Sequence, residues 1–145
     1  MRNILSALIV LACFTPFSVQ AAPEAISGTV SLSPELKGKV SPSDAVYILA
    51  RATQGPRMPI AVFRRQVKDL PIEFVLDDSM SMRPQIKISN FAQVVVAARI
   101  SKSGGAVTRV GDYEGVSAPV KPGTKGLEIL IDTQILSSSN RSQSI

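Results

Sequence analysis

The chain has 145 residues, 45% of them hydrophobic and 19% charged, with a net charge of +5 and no histidine. That length suits one domain, and the apolar fraction supports a packed core rather than a disordered chain. Basic residues are scattered without a long run, aromatic residues make up 5% and tryptophan is absent, so neither a nucleic-acid-binding tract nor a base-stacking platform is indicated.

Residues 1–21 read as a secretory signal peptide. Arg2 supplies the basic start, residues 4–12 the apolar run, and Val19, Gln20 and Ala21 a small-residue cleavage site. The run is short for a bilayer span, so no transmembrane helix is expected in the mature chain, and export to the periplasm is. Residues 10–13 loosely resemble a lipoprotein processing site, which makes lipid attachment at Cys13 the alternative. Cleavage removes the only cysteine, leaving no disulfide, thiol nucleophile or thiolate ligand.

Residues 22–27 read as a flexible lead, residues 28–133 as the folded domain and residues 134–145 as a disordered polar tail. Within the domain the hydrophobic period is two. Val30 and Leu32 alternate with Thr29, Ser31 and Ser33; Ile72, Phe74 and Leu76 with Glu73 and Asp77; Leu127, Ile129 and Ile131 with Glu128 and Asp132. Val94, Val96, Ala98 and Ile100 alternate with Gln93, Ala97, Arg99 and Ser101, which places the second set toward water. Residues 46–50, VYILA, form a continuous apolar run that fits a strand buried on both faces or packed at an interface. Ser33 and Pro34 suit the cap and first position of a helical turn. Prolines and Gly- or Asp-rich connections leave little room for a long helix. The expected fold is all-β, an antiparallel sandwich of about seven to eight short strands.

Without histidine or a mature cysteine, Ser–His–Asp and Cys–His catalysis and tetrahedral zinc sites are excluded, and no phosphate-binding glycine loop is present. No cofactor is expected, and an enzyme is disfavoured. Three segments keep functional interest. Met80 and Met82 are soft thioether ligands at i and i+2, suited to Cu(I), with Met58 available from another loop; the alternative is that they fill the end of the core or form an adaptable contact surface. Asp77, Asp78 and Ser79, with Asp112, could hold a hard cation, but such residues more often cap turns, and GDYEG at residues 111–115 reads as a tight connection. Residues 62–68, VFRRQVK, put Phe63 and Val67 inward, with Arg65 on their face near the rim, and Arg64, Gln66 and Lys68 outward, a solvated basic face that could instead dock an acidic partner or anionic headgroups.

Four stretches in one order carry a family resemblance: ARATQGPRMPIAV at residues 50–62, LDDSMSM at 76–82, QVVVAARISKSG at 93–104 and GDYEGVSAPV at 111–120. Together, over residues 28–132, they resemble the C-terminal periplasmic domain of the bacterial c-type cytochrome biogenesis family CcmI/CycH. The resemblance implies an immunoglobulin-like sandwich and an accessory, non-catalytic role in cytochrome c maturation. It also implies a protein partner, either apocytochrome c or subunits of the haem-ligation complex. Full-length members of that family carry membrane helices and tetratricopeptide repeats ahead of this domain, where this sequence has its signal peptide. The candidate partner-binding residues are Arg57, Met58, Pro59, Asp77, Asp78, Met80 and Met82, in two segments expected at one end of the fold. The competing reading is a small copper-handling protein using Met80 and Met82.

Overall fold

The computed structural model describes residues 24–55 and 58–137; the signal-peptide and Cys13 readings, Arg57 and the last eight residues of the tail lie outside them. Eight strands make up the fold: β1 (Ile26–Leu32), β2 (Ala45–Ala52), β3 (Pro59–Gln66), β4 (Ile72–Leu76), β5 (Val94–Ser101), β6 (Tyr113–Val116), β7 (Leu127–Ile131) and β8 (Thr133–Gln134). They form a three-stranded sheet in the order β4–β1–β7 and a five-stranded sheet in the order β3–β2–β5–β6–β8. All pairings are antiparallel except β1 with β7, which run parallel. This is the expected immunoglobulin-like β-sandwich. No helix among the described residues is long and apolar enough to cross a membrane.

The period-two strands behave as their sequences require. In β4, Ile72, Phe74 and Leu76 are buried while Glu73 and Val75 are exposed. In β7, Ile129 and Ile131 point inward while Glu128 and Leu130 are exposed. These residues meet Ile26, Val30, Val46, Ile48, Val96 and Ile100 in one core between the sheets, and each large aliphatic side chain so buried contributes about 1.5–3 kcal/mol. Strand β2 is buried on both faces, as its unbroken apolar run demands. Glycine is needed where β6 crosses β7. A Cβ on Gly115 would lie 2.1 Å from the Leu130 carbonyl oxygen, so only a bare backbone permits that approach.

Several local expectations are corrected. Strand β1 starts at Ile26, inside the expected lead, because Ile26 is fully buried and pairs with Leu76. The GDYEG stretch is only partly a connection: Tyr113–Val116 is a strand, held between β5 and β8. Gln134 belongs to β8 rather than to a disordered tail, and order continues through Ile135, whose N–H donates to the Asp112 carbonyl at 2.8 Å. Pro34 does open a 3₁₀ turn (Pro34–Leu36), but the Ser33 side chain makes no capping bond. Val67 leaves the β3 alternation for a 3₁₀ turn, Val67–Asp69, which a reciprocal Gln66–Asp69 capping box closes.

The largest correction concerns β5, where Ala97, Arg99 and Ser101 are buried rather than solvated. Arg99 is 2% exposed and Asp112 1% exposed. One guanidinium nitrogen donates to the Asp112 carboxylate at 3.1 Å, and the other terminal nitrogen donates to the Ala106 carbonyl. The same carboxylate accepts the N–H groups of Lys102 at 3.0 Å and Arg109 at 2.9 Å. The Tyr47 ring lies under the guanidinium, 5.4 Å from its centroid, and the Tyr47 hydroxyl donates to the Gly104 carbonyl at 2.8 Å. The connection 102–112 is thereby folded over one end of the outer face of the five-stranded sheet, where it engages Tyr47, Arg99 and Ser101.

Removing one partner of such a pair leaves buried polar groups unmatched. Asp112→Ala orphans a guanidinium and two backbone N–H groups and should cost about 3–5 kcal/mol. Arg99→Met leaves the carboxylate with its two amide donors and should cost less. Urea denaturation of the two variants checks the ordering.

Candidate functional site

The connection from β4 to β5, residues 77–93, is built from short 3₁₀ turns rather than a flexible span. Asp77 caps the first, Asp78–Met80, its carboxylate accepting the Ser79 N–H at 2.9 Å and also the Ser79 hydroxyl. Asp78 reaches eleven residues along the chain: it accepts the Ser89 hydroxyl at 2.6 Å and the Ser89 N–H at 3.2 Å. This clamp ties the two legs of the connection together. Between them Ser81 bridges Ala61, and the Met82 N–H donates to the Ile60 carbonyl at 2.9 Å. The connection therefore adds a short edge to the start of β3, which β2 alone would leave open on that side.

That docking creates an apolar pocket of about 60 Å³. Met58, Pro59 and Ile60 form one wall; Met82, Arg83, Ile86 and Phe91 form the rest. Met58 and Met82 line it while remaining 49% and 58% exposed, so their flexible thioethers border the mouth. The volume is far below the 300–1,000 Å³ usual for small-molecule and cofactor sites, and it suits one apolar side chain. Arg83 supplies the charged group of the lining.

Of the candidates expected from sequence, the structure brings Met58, Pro59 and Met82 together. Asp77 and Asp78 organise the connection and are absent from the pocket lining. Met80 packs against the core instead, so the Met80–Met82 pair is divided between two environments. Asp112, grouped above with Asp77 and Asp78 as a hard-cation set, is engaged with Arg99 and Lys102 beyond the end of β5, whereas Asp78 is clamped to Ser89 ahead of its start. No group of three or more acidic side chains gathers among the described residues. Ile60, Ile86 and Phe91 were missed: each reads singly as an ordinary core or loop hydrophobe, and only long-range pairing converges them.

Partial burial opposes ionisation of Asp78, but the Ser89 hydroxyl and N–H, the positive charge of Lys87 and the Ile88 backbone outweigh it and hold the carboxyl below its ordinary value. A lowered folded value means that the clamp's contribution is complete above the unfolded carboxylate range, near pH 4, and is lost as pH falls through the lower folded value. Ser89→Ala should raise the Asp78 titration midpoint, followed by carboxyl NMR. It should also lower stability by about 1 kcal/mol at neutral pH, a loss that vanishes in acid.

Comparison with known proteins places this architecture. The family model for the cytochrome c-type biogenesis protein H Ig-like domain matches residues 26–132. Over 115 residues the chain is 38% identical to the cytochrome c-type biogenesis protein CycH of Pseudomonas aeruginosa, an alignment covering 79% of this chain and 28% of that protein. Over 107 residues it is 30% identical to an uncharacterized protein of Aquifex aeolicus, covering 74% of this chain and 69% of that one. No solved structure matches the chain significantly. The matched stretch thus spans under a third of the Pseudomonas relative. With its sandwich matched from the first strand to the end of the seventh, the chain belongs to the family of Ig-like domains of cytochrome c-type biogenesis protein H.

Proposed function

We propose that this domain is a non-catalytic, periplasmic docking module of c-type cytochrome biogenesis, seating an apolar side chain of a protein partner in the Met58–Met82 pocket. The partner classes are apocytochrome c and the subunits of the haem-ligation complex. The observation that carries the reading is the convergence of two separate segments, residues 58–60 and 82–91, on one exposed apolar pocket. Family membership supplies the biological setting, and the leader-like residues 1–21 support the compartment.

The chemistry fits an unfolded or extended client. An unfolded chain offers its apolar side chains singly, and a one-residue pocket bordered by methionine accepts several shapes of them. Arg83 lets an acidic neighbour on the client add attraction without contributing to the apolar anchor. In this reading, recognition is by non-covalent contact.

Binding of the purified chain to apocytochrome c segments and to the haem-ligation subunits, measured by calorimetry, tests the proposal. Met58→Ala/Met82→Ala should weaken the interaction about tenfold, equivalent to about 1.4 kcal/mol. Its thermal midpoint should hardly move, since both side chains are largely exposed. The absence of any binding, or binding unchanged in the double variant, rejects this site.

A further inference from the structure

A second cleft lies at the other end of β3 and belongs to neither segment of the docking site. Ile60 opens onto the first pocket and Val67 onto this one; the six β3 residues between them make seven steps of extended chain, about 23 Å. The cleft is an open groove of about 430 Å³, in the size range of small-molecule clefts. Its floor is made by Leu32 at the end of β1, Val40 in the following connection, and Val67 and Leu70 at the turn after β3. All four are only partly buried, packing against the core while also lining the cleft. Among the described residues they form a stretch bordering the core that is left partly open to solvent.

Two lysines from separate turns also line the cleft, with Ser31, Pro42 and Pro71. Lys37 follows the Pro34–Leu36 turn and Lys68 lies in the Val67–Asp69 turn. Both are exposed, and neither takes part in an ion pair among the described residues. No acidic side chain lines the cleft; the nearby Asp69 carboxylate is committed to the Gln66 N–H at 3.1 Å. The walls are fixed by backbone bonds: the Lys68 N–H donates to the Pro42 carbonyl and the Val67 N–H to the Asp44 carbonyl, each at 3.0 Å. A cleft held in this way loses little freedom when a ligand enters.

We infer that this cleft binds a single-chain anionic amphiphile, with an alkyl chain on the Leu32–Val40–Val67–Leu70 floor and a carboxylate between Lys37 and Lys68. The charge argues for an anion and the floor argues for a hydrocarbon. A small hydrophilic anion would leave the floor wet, and a neutral hydrocarbon would gain nothing from the lysines. The volume argues for a small molecule, because a protein partner needs about 800 Å² of complementary surface on each side. This inference is independent of the docking function.

The test is a titration of the purified chain with decanoate below its micelle-forming concentration, followed by methyl NMR, with decanol and acetate as comparisons. Decanoate should give saturable shifts at the Leu32, Val40, Val67 and Leu70 methyls. It should bind at least tenfold tighter than decanol, while acetate leaves these methyls unmoved. Lys37→Gln/Lys68→Gln should erase the preference for decanoate over decanol, while the shifts of the decanol complex persist. No saturable shift at these methyls, or a preference for decanoate that survives the double substitution, overturns the assignment. An acidic apolar peptide that displaces decanoate at lower concentration overturns it in favour of a protein ligand.

Discussion

The buried Arg99–Asp112 pair is the constraint around which the five-stranded sheet is organised. Two ions removed from water are costly, and their attraction offsets that cost only when geometry and further hydrogen bonds are good. Here the carboxylate receives the guanidinium and two backbone N–H groups, while the guanidinium also reaches a carbonyl and lies over an aromatic ring. The pair spans β5 and the start of β6, and the Asp112 carbonyl holds Ile135 beyond β8. Strand β5 and the connection that follows it thus meet at the Asp112 carboxylate, while the backbone carbonyl of the same residue holds the chain beyond β8. Part of the outer face of the sheet thereby becomes an interior, where Tyr47, Ala97, Arg99 and Ser101 are buried.

How much of this was legible in the sequence depends on whether the determining contact is local. Strands β4 and β7 are half-buried, so their alternation reads directly as inward and outward positions. Strand β5 has the same pattern on paper, yet its polar set is buried. The cause is an aspartate thirteen positions away that no periodicity reveals. A lone arginine between alanines and an isoleucine is the one signal that could have found it, since a charge in so apolar a run needs a partner. Tyr113–Val116 was hidden for a related reason: a glycine-flanked Asp-Tyr-Glu reads as a turn, and only the close crossing of β7 gives Gly115 a place in a strand.

The candidate site divides along the same line. Asp77 and Asp78 were legible as turn-capping residues because Asx capping is local chemistry, although the reach of Asp78 to Ser89 was not. Met58, Pro59 and Met82 stood out by composition, whereas Ile60, Ile86 and Phe91 become pocket residues only when the connection docks on the edge of β3. The division of Met80 from Met82 follows from the 3₁₀ turn that ends at Met80. In an extended strand residues two apart share a face, but the chain turns here before it extends again.

The geometry also bounds how the domain would hold a partner in the proposed docking role. One apolar side chain seated in a 60 Å³ pocket contributes about 1.5–3 kcal/mol, too little to offset the lost freedom of association. Affinity must therefore come from contacts spread beyond the anchor, and the edge of β3 contributes few of them. Ser81 and Met82 already cover its start, the Arg65 guanidinium bonds the Arg64 carbonyl, and Asp69 takes the Gln66 N–H. An edge so blocked resists pairing with other strands, including those of unfolded chains that would otherwise aggregate on it. In the proposed docking role, a pocket that takes one side chain beside an edge that declines the backbone would give reversible capture, which suits a module that passes a client onward.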